Sequence, residues 1–249
     1  MRFGIDAPGL VATFFAAALG LGITAIALAG WGGIAGWAGL MTGLLALYPL
    51  GIGCLMLFDS LHTKVRHADE LLHHIRWTGA EAVLDVGCGR GLLLVKAAQR
   101  LTTGQATGHA TGVDIWQGRD QAANTSAGPL QNARAFGVAD KVSVQTADMR
   151  ALPFADGSFD VVLSGWAVHN LPDSQDRLRA IAQMIRVLRP GGTLILSDIV
   201  NRAEYLAAIT GPQMRAVQLV VRSARRDVIL RAVSFGSYQP AAVIAQKVG

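Results

Sequence analysis

Three glycines at alternate positions, Gly87, Gly89 and Gly91, stand in "VLDVGCGRGLLL", residues Val83 to Leu94. An apolar run carrying an acid, Asp85, leads into them, and a second apolar run follows. Glycines so spaced permit backbone turns that a Cβ would block, and they let a ligand approach the main chain closely. A helix starting near Gly91 aims N–H groups at that ligand. Two phosphate-binding patterns do not fit. A dinucleotide fingerprint counted from Gly87 needs its third glycine at position 92, which is Leu92, and no Gly-Lys-Ser/Thr loop is present.

The elements that must position this loop follow from the pattern around it. Beyond Glu81, strands are expected at Ala82–Val86, Thr111–Asp114, Val142–Thr146, Phe159–Ser164 and Gly192–Ser197. Helices are expected at Gly91–Leu101, within Gln121–Phe136 and at Ser174–Leu188, the last ended by Pro190-Gly191-Gly192. This alternation predicts an α/β domain, a Rossmann-like and mostly parallel sheet with helices on both faces. Ligands of such a sheet sit at the carboxyl ends of the strands, near the switch in strand order. In the tail, Glu204–Ile209 reads as helix, and Arg215–Val221 and Ala241–Lys247 as two further strands. A basic excursion, Arg222–Pro240, lies between those strands.

Over Glu81–Ile199 the sequence resembles the class I methyltransferases that use S-adenosyl-L-methionine. "VLDVGCGRG" is similar to the first motif of that family. "GVDIW", Gly112 to Trp116, is similar to the second. "TADMRALPFADGSFDVVLSGWAVHNL", Thr146 to Leu171, resembles the adenine-binding turn and fourth strand, and "LRPGGTLILSDI", Leu188 to Ile199, the helix-turn-strand that follows. The resemblance implies roles. Gly87, Cys88, Gly89 and Gly91 line the methionine part of the cofactor, and Asp85 orients its amino group. Asp114, followed by Ile115, accepts from both ribose hydroxyls, since one carboxylate can take two donors. Asp148 accepts from the adenine amino group, and the Met149 N–H meets a ring nitrogen. Gly165 offers its carbonyl to the ammonium. His169, after the fourth strand, is the candidate general base. Trp166 and Asn170 are weaker candidates for packing and hydrogen bonding to an acceptor.

The charge distribution sets this domain apart from what precedes it. Hydrophobic residues make up 51% and charged residues 16% of the 249, against about 25% charged in soluble domains. The deficit sits in Ala7–Phe58, which has no charged residue. One membrane helix needs about 20 apolar residues, so this stretch is long enough for two, near Pro8–Gly30 and Ile34–Phe58. Trp31 and Trp37 suit an interface. Gly20, Gly22, Gly39, Gly43, Gly51 and Gly53 suit close helix packing. A cleaved signal peptide or a buried hairpin is the alternative.

The expected organisation is therefore a membrane hairpin at 1–58, a connecting helix at 59–80 with an amphipathic run over Asp59–Trp77, and the methyltransferase domain at 81–249. Four histidines of the connecting helix, His62, His67, His73 and His74, lack i,i+4 spacing and read as structural or solvated; no metal site is expected. Arg2 precedes the hairpin and Lys64, Arg66 and Arg76 follow it. The expectation is an integral protein of the cell membrane with both termini and the domain in the cytoplasm. The net charge of +5 comes without a lysine-rich run, so an anionic membrane surface is a better partner than nucleic acid. The acceptor expected is small, amphipathic or lipid-like. The competing reading is a non-catalytic membrane protein whose domain senses the cofactor or binds a partner.

Overall fold

A computed structural model describes residues 3–5, 7–102, 108–117, 124–221 and 240–249. The excursion at Arg222–Pro240 therefore lies outside the described residues except for Pro240, as do Arg2 and the first residues of the helix expected from Gln121. The chain divides into two compact units, one holding Phe3–Val65 and the other Arg66–Gln117 and Ala123–Gly249.

In the first unit, α1 (Pro8–Ala29) and α2 (Gly33–Phe58) form an antiparallel pair. Pro8 opens α1 at a position where its missing N–H costs nothing. Close packing falls on fewer glycines than the sequence suggested. A Cβ on Gly39 would lie 2.7 Å from the Ala25 carbonyl oxygen, and one on Gly53 would meet the Phe15 ring at 3.3 Å. Gly43 is in ordinary contact with Ala25, whereas Gly20, Gly22 and Gly51 face open space. Both helices are apolar all round, and Leu19, Ile23, Ile26, Leu44, Leu45 and Leu47 are exposed. A π-helical turn, Asp59–Thr63, leads from α2 into α3 (Lys64–Leu72). Lys64 is buried, and its ammonium donates to the carbonyls of Phe3 at 3.1 Å and Gly4 at 2.9 Å.

The helix expected to reach Trp77 stops at Leu72. His74 and Ile75 tighten the chain with i→i−3 bonds, and the Trp77 indole N–H donates back to the Leu72 carbonyl at 2.9 Å. Trp77 thus caps the helix instead of extending it.

The second unit is a seven-stranded sheet in the order β3-β2-β1-β4-β5-β7-β6. Its strands are β1 (Ala82–Val86), β2 (His109–Asp114), β3 (Val142–Thr146), β4 (Phe159–Gly165), β5 (Leu188–Asp198), β6 (Met214–Val221) and β7 (Ala241–Lys247). The first five pair in parallel, and β7 is antiparallel to both β5 and β6. Its helices are α4 (Leu92–Ala98), α5 (Ala127–Ala135), α6 (Ser174–Val187) and α7 (Arg202–Ile209). The strand after α6 starts at Leu188, so Pro190-Gly191-Gly192 lies inside β5 rather than before it. Buried runs such as Val83, Leu84 and Val86 with Val161, Val162 and Leu163 mark strands covered on both faces. The strand order reverses between β1 and β4, which opens a crevice at their carboxyl ends. Across it the buried Ser164 hydroxyl donates to the Val86 carbonyl at 2.8 Å.

Candidate cofactor site and active site

The glycine turn closes the carboxyl end of β1. Gly87 and Cys88 both donate their N–H to the Val113 carbonyl, at 2.8 and 3.0 Å, which ties the turn to β2. Gly87 adopts φ 72°, and a Cβ there would lie 2.3 Å from the Ala167 methyl and 3.4 Å from the Met149 terminal methyl. The turn, the loop after β3 and the loop after β4 thus converge where only glycine fits. Gly91 begins α4 with φ 78°, its missing side chain occupied by Pro129. Gly165 ends β4 against Leu93, which would meet a Cβ at 2.7 Å.

Asp114 ends β2 directly beside this turn. Its carboxylate accepts from the Gly89 N–H at 2.8 Å, the Trp116 N–H at 2.6 Å and, at a longer 3.4 Å, the Asn124 amide. A carboxylate offers about four acceptor positions, so a lone pair remains and the Asn124 contact is long enough to yield. Ile115 beside it is 46% exposed, an aliphatic surface suited to the face of a base. Asp85 is buried under the turn and accepts the Leu94 N–H at 2.9 Å. That bond takes one of the N–H groups the sequence reading had left to a ligand. Burial, with the nearby Asp114 charge, pushes the Asp85 carboxyl up to about 7 against the pull of the Leu94 hydrogen bond.

Cys88 is placed differently from its neighbours. Its sulfur packs over Gly112, where an added Cβ would lie 2.8 Å away. Burial pushes the thiol well above its ordinary range, so it is an inert core group and only its backbone borders the turn. Asp148 and Met149 follow β3. The Arg150 guanidinium grips the Asp148 carboxylate through Nε and Nη2, at 2.6 to 3.0 Å, and holds its carboxyl below the usual range. Arg150 also reaches Asp176 at 2.7 Å.

On the far side of the crevice the structure supplies a residue that the sequence reading missed. Asp198, at the end of β5, is buried. Its carboxylate accepts the His169 N–H at 3.0 Å, the Ile199 N–H at 2.8 Å and the imidazole Nδ1–H at 2.6 Å. Three donors offset the cost of burying the carboxylate. With Nδ1 carrying its proton toward Asp198, Nε2 holds the lone pair. The available signal was positional: Asp198 terminates its strand as Asp114 terminates β2. The loop after His169 is also fastened. Arg177 donates to the Leu171 and Pro172 carbonyls at 2.9 Å and binds both oxygens of Glu204 at 2.9 Å. Tyr205 is buried nearby, and burial together with the Asp198 carboxylate pushes its hydroxyl upward.

Between Gly165 and His169, Trp166 adopts φ 54°. A bulky side chain rarely takes this left-handed conformation, which costs about 1–3 kcal/mol. The Trp166 N–H is held by the Ser197 carbonyl at 2.8 Å. Of the four helix histidines read as structural or solvated, His67 alone is buried. It pairs with the Ser197 hydroxyl at 3.2 Å and lies parallel to the Trp166 indole, ring centroids 6.2 Å apart and 13° from coplanar. Asn170 stands exposed. Among the described residues, no group of three or more His, Cys, Asp or Glu side chains is placed to hold a metal ion.

Residues 84–196 match the family model described as a methyltransferase domain. The chain is 35% identical over 141 residues to Methyltransferase GfsG of Streptomyces halstedii, covering 55% of this chain and 44% of that protein. It is 36% identical over 133 residues to the 27-O-demethylrifamycin SV methyltransferase of Amycolatopsis mediterranei, covering 53% and 44%. The match thus spans less than half the length of either relative. Among solved structures, the fold is similar to geranyl diphosphate C-methyltransferase from Streptomyces coelicolor in complex with Mg2+, geranyl diphosphate and S-adenosyl-L-homocysteine. That likeness has a TM-score of 0.60 and 19% identity, over 78% of this chain and 83% of that one. The [4+2]-cyclase SpnF is similar at TM-score 0.58 and 19% identity, over 74% and 82%. Because a cyclase shares this fold, the sheet does not fix the reaction; the side chains do.

Proposed function

We propose that this chain transfers the methyl group of S-adenosyl-L-methionine to a small, amphipathic or lipid-like acceptor, at an atom that carries a proton of high pKa, a hydroxyl foremost. The observation that carries this reading is the His169–Asp198 pair beside the glycine turn. The cofactor, when bound, supplies an electrophilic methyl group on a sulfonium. Gly87, Gly89, Gly91 and Gly165 would border its methionine part, Asp85 its amino group, Asp114 and Ile115 its ribose and base, and Asp148 and Met149 the edge of its adenine. These residues suit the group, since the glycines let the turn and the loops after β3 and β4 converge and Asp114 keeps acceptor capacity.

On the acceptor side, Asp198 fixes the imidazole tautomer and stabilises the cation that forms when Nε2 takes the acceptor's proton. General-base help of this kind contributes typically about 10²–10⁴-fold. It serves a hydroxyl, and is little needed by a thiolate or a carboxylate. One relative above, the 27-O-demethylrifamycin SV methyltransferase, supports a small-molecule acceptor.

The reading also places the chain in the cell membrane, with both termini and the domain in the cytoplasm. Support comes from α1 and α2, which are long and apolar enough to cross a bilayer, with mean hydropathy 2.2 and 1.9 and few buried side chains. Exposing a Leu or Ile to water forgoes about 1.5–3 kcal/mol of burial, so so many exposed apolar side chains favour lipid surroundings. Basic residues flank the pair and its turn carries none.

The test is transfer of a labelled methyl group by the full-length protein in vesicles, offered a cellular extract of lipids and small molecules. The expected result is an organic-soluble labelled product that the His169→Ala protein does not make. Cofactor binding without transfer to any component would instead support a cofactor sensor.

A further inference from the structure

We propose that Trp166 and His67 together form the wall of the acceptor pocket and select a flat ring bearing the hydroxyl to be methylated. This rests on the methyltransferase reading above and adds a substrate class to it. Trp166 stands in sequence between Gly165, at the carboxyl end of β4, and His169, and it is half-buried. Its backbone is held in a left-handed conformation, φ 54°, that a tryptophan does not adopt unaided. The Ser197 carbonyl holds it there through the Trp166 N–H. Strain of this kind persists where the surrounding structure imposes it, and it clusters at ligand-binding sites.

His67 supplies the second half. It is buried, lies parallel to the indole and is fixed by the Ser197 hydroxyl. Parallel, offset rings at 6.2 Å are within the range of favourable aromatic pairing. Ser197 therefore sets both rings, one through its carbonyl and one through its side chain, and the next residue, Asp198, sets the base. A half-buried indole backed by a parallel imidazole presents a broad, stiff and flat surface. Flat rings gain most from such a surface, because stacking costs them no internal freedom. An aliphatic ring of equal size meets the same wall through its axial hydrogens only.

The experiment compares two probes with the same carbon skeleton, 4-pentylphenol and trans-4-pentylcyclohexanol, which differ in flatness. Their binding to the full-length protein in detergent, saturated with S-adenosyl-L-homocysteine, is measured by calorimetry. The expected result is at least tenfold preference for the phenol in the native protein. That preference should fall to within twofold in Trp166→Leu, persist in Trp166→Phe, and fall about threefold in His67→Gln, which can still bond Ser197. Homocysteine-cofactor affinity should stay within twofold throughout, which also verifies that each variant is folded. Equal binding of the two probes, binding of neither, or a preference untouched by Trp166→Leu overturns the proposal. Absence of any affinity for S-adenosyl-L-homocysteine in the native protein would instead overturn the methyltransferase reading on which it stands.

Discussion

The two sides of the crevice are built by different means. On the β1–β2–β3 side, carboxylates meet backbone: Asp114 takes N–H groups from Gly89 and Trp116, and Asp85 takes one from Leu94. On the β4–β5 side, side chains also meet side chains: His169 with Asp198, His67 with Ser197, Arg177 with Glu204. The first construction suits a ligand whose shape never changes, because backbone geometry is set by the turn itself. The second lets the acceptor be exchanged by substitution without disturbing the cofactor. Labour is thus divided across the switch point, and substitutions on either side test that division.

The largest effect belongs to the acceptor side. His169→Ala should lower kcat by about 10²–10⁴-fold while cofactor affinity, read by calorimetry, stays within twofold. Asp198→Asn leaves the ring in place but presents an amide that can favour the wrong tautomer. We expect roughly a 10²-fold loss in kcat, again with binding retained. Should either change weaken cofactor binding as strongly as turnover, the two sides are not separate.

The cofactor side should show the reverse. On the proposed reading, Asp114→Ala removes a charged acceptor from the two ribose hydroxyls, each such bond contributing about 1.5–3 kcal/mol. Cofactor Kd should therefore rise by roughly 10²-fold, and kcat at saturating cofactor should change less than about threefold. Equilibrium dialysis and steady-state kinetics give both numbers.

A smaller, pH-dependent effect falls on Asp85. Its folded carboxyl titrates at about 7, whereas an unfolded one titrates near 3.9. Between these values the folded chain binds more protons than the unfolded one, so stability falls as pH rises through 7. A cation beside Asp85 favours the carboxylate, so cofactor binding releases the proton. Affinity should then weaken up to about tenfold per unit as pH falls below 7. Asp85→Asn should flatten both profiles, measured by thermal melts and by calorimetry from pH 5.5 to 8.

The smallest effect is expected at the adenine edge. Arg150→Ala frees Asp148 from an exposed guanidinium, and cofactor Kd should move by less than about threefold, since exposed pairs contribute little. A tenfold change would show that Arg150 competes with the adenine for the carboxylate.

The same contrast governs how much of the molecule was legible beforehand. The glycine turn, Asp85, Asp114 and Asp148-Met149 were legible as candidates because each lies inside a local motif, and the alternating pattern carried the parallel strands with them. Asp198 was not, although it lies inside a quoted motif. Its role depends on β4 and β5 pairing side by side, so that residues 169 and 198 meet, and no local spacing encodes that. His67 was set aside for a similar reason: helical spacing says which residues share a face, not what lies opposite. The end of α3 at Leu72 was missed because its stop is an indole N–H from Trp77 rather than a glycine or a proline. For Cys88, membership of the motif does not say which way the thiol turns, and the structure packs it over Gly112.

The ammonium of Lys64 works as a buckle. By donating to the Phe3 and Gly4 carbonyls, it fastens the extreme start of the chain to the stalk that leaves the apolar pair, so the two feet of the hairpin behave as one. Residues that look like a dispensable leader are then structural. Trimming them would take two acceptors from a buried cation, at about 1.5–3 kcal/mol each.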